Sequence, residues 1–262
     1  MDLGIRGRKA ILAGASAGMG MESAIALARE GVEIYISARN EERLTTTADK
    51  IAQSTGAKVV PIVADHSTGE GRARLLETCP EPDILVITCS PPRFIQTAQE
   101  IEPDEWTSVL ETTLVGPIEL MRATVEGMAA RGFGRVINIA TIGAKTGNEM
   151  RVLSGAPRAA LCNYTAAISR RLSRSNVSVN NILPGMFHTA SMQERFDGLA
   201  QKNGTSYEIE IQKWLDEIGV PAGRFGMPED VGAFCALLCS QYASYVIGQS
   251  IVIDGGQVRS VF

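Results

Sequence analysis

The chain predicts an α/β fold in which a seven-stranded parallel sheet is doubly wound by helices into a three-layer sandwich. Two features carry that expectation. Short apolar runs alternate with longer amphipathic ones from end to end, and a glycine-rich turn joins the first run to the first amphipathic stretch. Such alternation builds a parallel sheet covered on both faces, because each crossover between parallel strands has to carry a helix. With 262 residues and 45% hydrophobic content, the chain can bury one sizeable core, so residues 1–262 are expected to form a single domain.

The strands are read from brief runs rich in Ile, Val and Leu, and the helices from longer runs at helical spacing. Lys9 to Ala13 opens the sheet and a helix near 18 to 30 follows. Glu33 to Ser37 with a helix near 41 to 54 forms the second unit, and Lys58 to Val63 with a helix near 68 to 78 the third. Asp83 to Thr88 precedes a long helical stretch, 105 to 130, and Arg135 to Ile139 precedes another, 157 to 174. Ser178 to Leu183 leads into a segment, 190 to 219, without a readable motif. A helix near 228 to 240 then precedes the last strand, Ser250 to Ile253. In sheets of this kind the ligand sits at the carboxyl ends of the strands where their order reverses. The loops after 13, 37, 88, 139 and 183 are therefore expected to line the site.

Composition narrows the partners. A net charge of −4 and a pI near 5.4 offer no electrostatic attraction to nucleic acid or an acidic membrane, so a small molecule is the expected ligand. Cys79, Cys89, Cys162, Cys235 and Cys239 are odd in number and scattered, which argues against a disulfide framework and fits a reducing compartment. Cys235 and Cys239 share a helix face as packing thiols, and no metal site is expected because no further ligand lies at metal-binding spacing. No apolar run reaches membrane-spanning length and the N-terminus lacks a signal-peptide layout, so a soluble cytoplasmic protein is expected.

The turn Gly14-Ala15-Ser16-Ala17-Gly18-Met19-Gly20 follows a strand and opens a helix. Its missing side chains let a pyrophosphate reach the amides at the helix N-terminus, so Gly14, Ser16, Ala17, Gly18, Met19 and Gly20 are candidate cofactor-binding residues. Its G-x-x-x-G-x-G spacing resembles the short-chain dehydrogenase/reductase family, Rossmann-type enzymes that include 3-oxoacyl-carrier-protein reductases. Arg135 to Ile139, with Asn138, is similar to the family's fifth strand, and Val179 to Thr189 to its sixth strand and Pro-Gly loop. Gly223 to Asp230 and Gly248 to Gly256 resemble its C-terminal signature. The likeness covers nearly the whole chain.

The resemblance implies a nicotinamide cofactor, with Asp65 near adenine, Cys89 and Ser90 bordering the nicotinamide, and Pro184, Gly185, Met186 and Thr189 holding its carboxamide end. His66, beside Asp65, is expected to border adenine as well. The second strand ends Ala38-Arg39-Asn40, with a cation where an acidic residue would repel a 2′-phosphate, so NADP is favoured and NAD stays possible. It also implies a homotetramer, or a hetero-oligomer with an active homologue, and a substrate lid over about 190–219.

At the catalytic positions the chain departs from the family. Counting from the sixth strand places Ser154 where the family has its catalytic Tyr and Arg158 where it has its Lys; Tyr164, the only nearby tyrosine, is followed four residues later by Ile168. Thr141 stands for the substrate-binding Ser and Thr113 for a relay Asn. The family's Asn-Asn-Ala-Gly is replaced by Ile87-Thr88-Cys89-Ser90, followed by Pro91-Pro92. Ser154 lacks a phenol's acidity and reach, whereas Arg158 keeps a cation whose donors can hold the nicotinamide ribose or an oxyanion. Pro157 suits a first turn, so a helix start near 156 is expected, with Ser154 in the preceding loop.

His188, in the Pro-Gly loop, is either a proton donor or a solvated side chain, and Lys145 either faces substrate or solvent. Met186 and Phe187 contact either substrate or the lid; Trp106 and Trp214 are read as packing residues. Three functions remain open: an NADP(H)-dependent oxidoreductase acting on a carbonyl or alcohol, a catalytically silent nucleotide binder, and a non-redox lyase.

Overall fold

A computed structural model describes residues 1–259, with Ser191 described by its backbone alone. The seven strands form one parallel sheet in the order β3-β2-β1-β4-β5-β6-β7, with β1 Lys9–Ala13, β2 Glu33–Ala38, β3 Val59–Val63, β4 Ile84–Thr88, β5 Gly134–Ile139, β6 Val177–Pro184 and β7 Ser250–Ile253. The order reverses between β1 and β4, where Ala13 pairs with Ile87, and this puts the crevice beside the turn at 14 and the loop at 89.

Helices α1 Gly18–Arg29, α2 Glu41–Thr55 and α3 Gly69–Thr78 follow the first three strands. Strand side chains alternate in direction, so each face collects its own core. Leu12, Ile36, Val86, Ile137 and Ile182 pack with α1, α2 and α9 (Pro228–Cys239) on one side. Ile11, Leu85, Ile87, Val136 and Val179 pack on the other with Leu120, Met121 and Leu161.

The structure corrects one expectation, the start of α6, and adds detail to two other segments. The stretch expected as one helix over 105 to 130 is α4 Pro103–Leu110, a π-helical turn Glu111–Val115 and α5 Gly116–Ala130. The helix expected from near 156 is α6 Val152–Leu172, so Ser154 lies inside its first turn and Pro157 within the helix. Buried Leu153 and the approach of Gly155 to the 142–144 turn hold that early start: a methyl group on Gly155 would come within 2.5 Å of the Gly143 carbonyl oxygen. The absent Pro157 amide then leaves one carbonyl of the first turn without its helical donor. Finally, 190–219 forms α7 Ala190–Asn203 and α8 Tyr207–Ile218, which bury Phe196 and Leu215 with Val220 and Phe225 in an apolar cluster of their own.

Candidate functional site

The turn after β1 is shaped as a cradle. Gly14 has φ +78° and a methyl there would meet the Thr88 carbonyl oxygen at 2.1 Å; on Gly20 it would meet the Gly14 carbonyl oxygen at 2.7 Å. Gly18, at φ +54°, is by contrast open, with Thr189 Cγ2 the nearest atom at 3.8 Å from such a methyl. Ala17 supplies no side-chain cap to α1, and the first turn of the helix holds no acidic residue. The electropositive end of α1 therefore carries neither an acidic nor a capping side chain and lies beside Thr189, which fits a pyrophosphate. Met19 is half-buried at the start of α1 and packs on the core.

Beside this cradle lies a cleft of about 370 Å³ lined by Gly14, Ser16, Arg39, Asn40, Arg43, Asp65, His66, Thr88, Ser90 and Thr112, among others. Arg43 is the residue that sequence reasoning missed: its Nε donates to Ser16 Oγ at 3.1 Å, one helical turn on from Arg39. Arg39 is largely exposed, with Nη1 4.0 Å from Asp65 Oδ2. Asn40 Oδ1 accepts the Arg43 amide and caps α2, so its side chain serves the helix. Burial raises the Asp65 pKa, but hydrogen bonds from the Ser67 hydroxyl and amide, with Arg39 beside it, outweigh that and leave the carboxyl below its usual value. His66 is buried against the Thr112 carbonyl at 3.1 Å, and desolvation lowers its pKa.

On α6, Arg158 is 4% exposed and folds back along the helix. Nη1 donates to the Ser154 carbonyl at 3.2 Å and to Ser154 Oγ at 3.1 Å, while Nη2 donates to the Cys89 carbonyl at 3.3 Å. The short Ser154 side chain thus leaves room for the guanidinium, which ties α6 to the loop after β4. Burial lowers the Arg158 pKa. The Cys89 thiol faces the Thr112 carbonyl and His66, and burial pushes its pKa up to about 11 against the pull of Arg158.

Thr141 Oγ1 accepts the Gly143 amide and starts the turn that packs on Gly155, one residue from Ser154. Thr113 is buried in the π-helical turn, where its hydroxyl donates to the Val109 carbonyl at 2.7 Å. Asn138 donates from Nδ2 to Asn181 Oδ1 and Thr165 Oγ1 beneath the site. Tyr164 packs in the core away from Ser154. Lys145 is exposed.

Pro184 ends β6, and Gly185 donates to the Ile253 carbonyl against Asp254. Met186 joins the cluster of α7 and α8, whereas Phe187 is buried in the main core against Gly226. His188 neither stands in solvent nor alone: its Nε2 is 2.9 Å from the Tyr207 hydroxyl and its ring packs on Phe225. Trp214 lies edge-on to Phe196 in the same cluster.

The comparisons agree with this geometry. Residues 14–257 match a family model described as enoyl-(acyl carrier protein) reductase. The 3-oxoacyl-(acyl-carrier-protein) reductase of Aquifex aeolicus is 28% identical over 98% of this chain and 99% of its own. L-sorbose reductase from Gluconobacter frateurii, solved with NADPH and L-sorbose, superposes with a TM-score of 0.95 at 30% identity over the whole of both chains. An actinorhodin polyketide ketoreductase variant solved with NADPH gives 0.86 at 26% over 97% and 98%. With the sheet order, the glycine cradle and a match across nearly the full length, the chain belongs to the short-chain dehydrogenase/reductase family.

Proposed function

We propose that the protein is an NADP-dependent oxidoreductase, acting on the carbonyl or alcohol of a small molecule through a site rearranged around Arg158. The observation that carries this reading is the buried Arg158 guanidinium tied to the loop after β4, in a chain that keeps the glycine-rich cradle; counting along the sequence aligns it with the family's Lys. Arg39 and Arg43 flank Ser16 at the end of β2, where a 2′-phosphate would be neutralised. The NADPH named with two structural relatives supports the same cofactor.

NADPH, when bound, supplies the hydride. Arg158, fixed by Ser154 and the Cys89 carbonyl, keeps N–H donors for the substrate oxygen or the nicotinamide ribose, and its positive charge stabilises a developing alkoxide. It does not release a proton near neutrality, so the proton comes from water, from His188 or from the substrate. Thr141 accepts from Gly143 and keeps a hydroxyl hydrogen to donate to the substrate oxygen. Helices α7 and α8 form the lid. We place the enzyme in the cytoplasm as a homotetramer, and sedimentation of the purified protein tests the assembly.

The test is NADPH binding by fluorescence titration, followed by hydride transfer to a panel of carbonyls and alcohols. Tight binding with turnover on at least one compound is expected; binding without transfer across the panel overturns the reading. That outcome favours the second reading, a silent nucleotide binder, which draws support from Thr113 and Ser154. Both hydroxyls are engaged within their own helices.

A further inference from the structure

Arg151 is the residue just before α6, three positions ahead of Ser154, and Arg158 follows that serine by four within the helix, so a cation lies on either side of it. The Arg151 guanidinium carbon lies 4.1 Å from the centroid of Phe94, on the loop after β4. Arg195, from α7, lies 4.2 Å from the same centroid and 4.6 Å from Trp214. The loop is fastened to the start of α6: the Ile95 amide donates to the Met150 carbonyl and Arg151 Nη1 approaches the Pro92 carbonyl at 3.5 Å. Three arginines, at the N-cap of α6, within α6 and on α7, therefore gather around Phe94 and Ser154.

Among the described residues, no carboxylate lies within ion-pair distance of any of the three. Arg93, one residue from Phe94, shows the contrast: it is paired with both Glu105 and Glu100. Burial lowers the pKa of Arg151 and Arg195, and Arg151 is further lowered by the like charges of Arg158 and Arg195. Arg195 Nη1 and Trp214 Nε1 are enclosed, and neither meets an acceptor among the described residues. Stacking on an aromatic ring offsets part of the cost of a buried cation, but it accepts no N–H from the guanidinium edge. An oxyanion seated between α7 and α6 would meet both the clustered cations and the donors that lack an acceptor among the described residues.

We propose that Arg151 and Arg195 select a substrate carrying an oxyanion, a carboxylate or a phosphate, beyond the carbonyl presented to Arg158. This assignment rests on the oxidoreductase reading above and specifies its substrate class. Arg151 and Arg195 act as specificity-determining residues, holding the anionic end of the molecule.

The experiment uses the full chain with NADPH and matched pairs: acetoacetate and levulinate against their methyl esters, and dihydroxyacetone phosphate against dihydroxyacetone. The anionic member is expected to show a KM at least ~10-fold below its neutral partner, as hydrogen bonds to charged groups imply. The preference is expected to shrink with rising salt and to collapse in Arg195→Gln and in Arg151→Gln, each checked separately for folding, while Arg93→Gln retains it. The carboxylate and phosphate pairs decide between the two anions. Binding of levulinate and of dihydroxyacetone phosphate to the NADP-loaded protein is measured in parallel by calorimetry. Saturable, arginine-dependent binding of either without any hydride transfer removes the oxidoreductase reading and keeps the anion site. Turnover that is equal for the acids, the phosphate and their neutral partners overturns the anion site and keeps the oxidoreductase.

Discussion

Replacing Arg158 by Met asks whether the buried guanidinium holds the fold or serves the ligand. Three N–H donations, at 3.1 to 3.3 Å, stabilise it in place. They are longer than the usual 2.7–2.9 Å of charge-assisted bonds, so about 1 kcal/mol each, or roughly 3 kcal/mol together, is a fair magnitude. Against this stands the effective penalty for burying the ion, also several kcal/mol, with no carboxylate among the described residues to offset it. The two nearly cancel. Met restores most of the volume, and the Ser154 hydroxyl can turn to a carbonyl of its own helix. Arg158→Met is therefore expected to leave the stability of the ligand-free protein within about 2 kcal/mol, read from urea unfolding. NADPH affinity is expected to fall ~10-fold or more and turnover to be lost, since a ribose or oxyanion loses a charged donor. A loss of stability well beyond 3 kcal/mol with undiminished NADPH affinity would refute the reasoning and make Arg158 a structural bridge.

Other outcomes follow from the same site. The double change Ser154→Tyr, Arg158→Lys restores a phenol beside an ammonium and is expected to raise reductase turnover by ~10²–10⁴, measured by NADPH oxidation; unchanged turnover with intact binding would show that more than the acid is missing. Arg43→Ala is expected to weaken NADPH ~10-fold or more and to leave NADH unaffected in paired titrations, because only the 2′-phosphate needs the second cation. Gly14→Ala forces a left-handed residue with a methyl 2.1 Å from the Thr88 carbonyl oxygen, and a loss of at least ~1–2 kcal/mol in urea unfolding is expected. His66 has its pKa lowered chiefly by burial, so the unfolded chain binds its proton first. Stability is then full above the ordinary histidine value near 6.5 and falls as pH drops from there toward the folded pKa, a slope expected to disappear in His66→Gln.

Much of the architecture was legible because it rests on local periodicity. Alternating apolar runs marked all seven strands, and the Gly14 to Gly20 turn stood out because open backbone at a helix N-terminus suits a phosphate wherever it occurs. The π-helical turn at 111–115 left no periodic trace, and the two helices of 190–219 were missed although Ser206 caps α8 and Gly204 and Gly219 end the pair in left-handed conformations. Their apolar faces pack on each other and on Phe225, a contact made only once the chain has folded back.

By itself, the sequence determined the parallel sheet, the cofactor cradle, and the presence of Ser154 and Arg158 where a Tyr and a Lys were expected. Only the tertiary structure decided where those side chains go. Helix propensity at Pro157 argued for a late start to α6, but burial of Leu153 and the close approach of Gly155 to Gly143 outweighed it and drew Ser154 into the helix under the Arg158 guanidinium. Likewise, Arg151 and Arg195 are 44 positions apart, and no sequence pattern links them. Folding α7 over the loop after β4 brings both onto Phe94, half-buried and without a carboxylate among the described residues, which is the setting the proposed anion would complete.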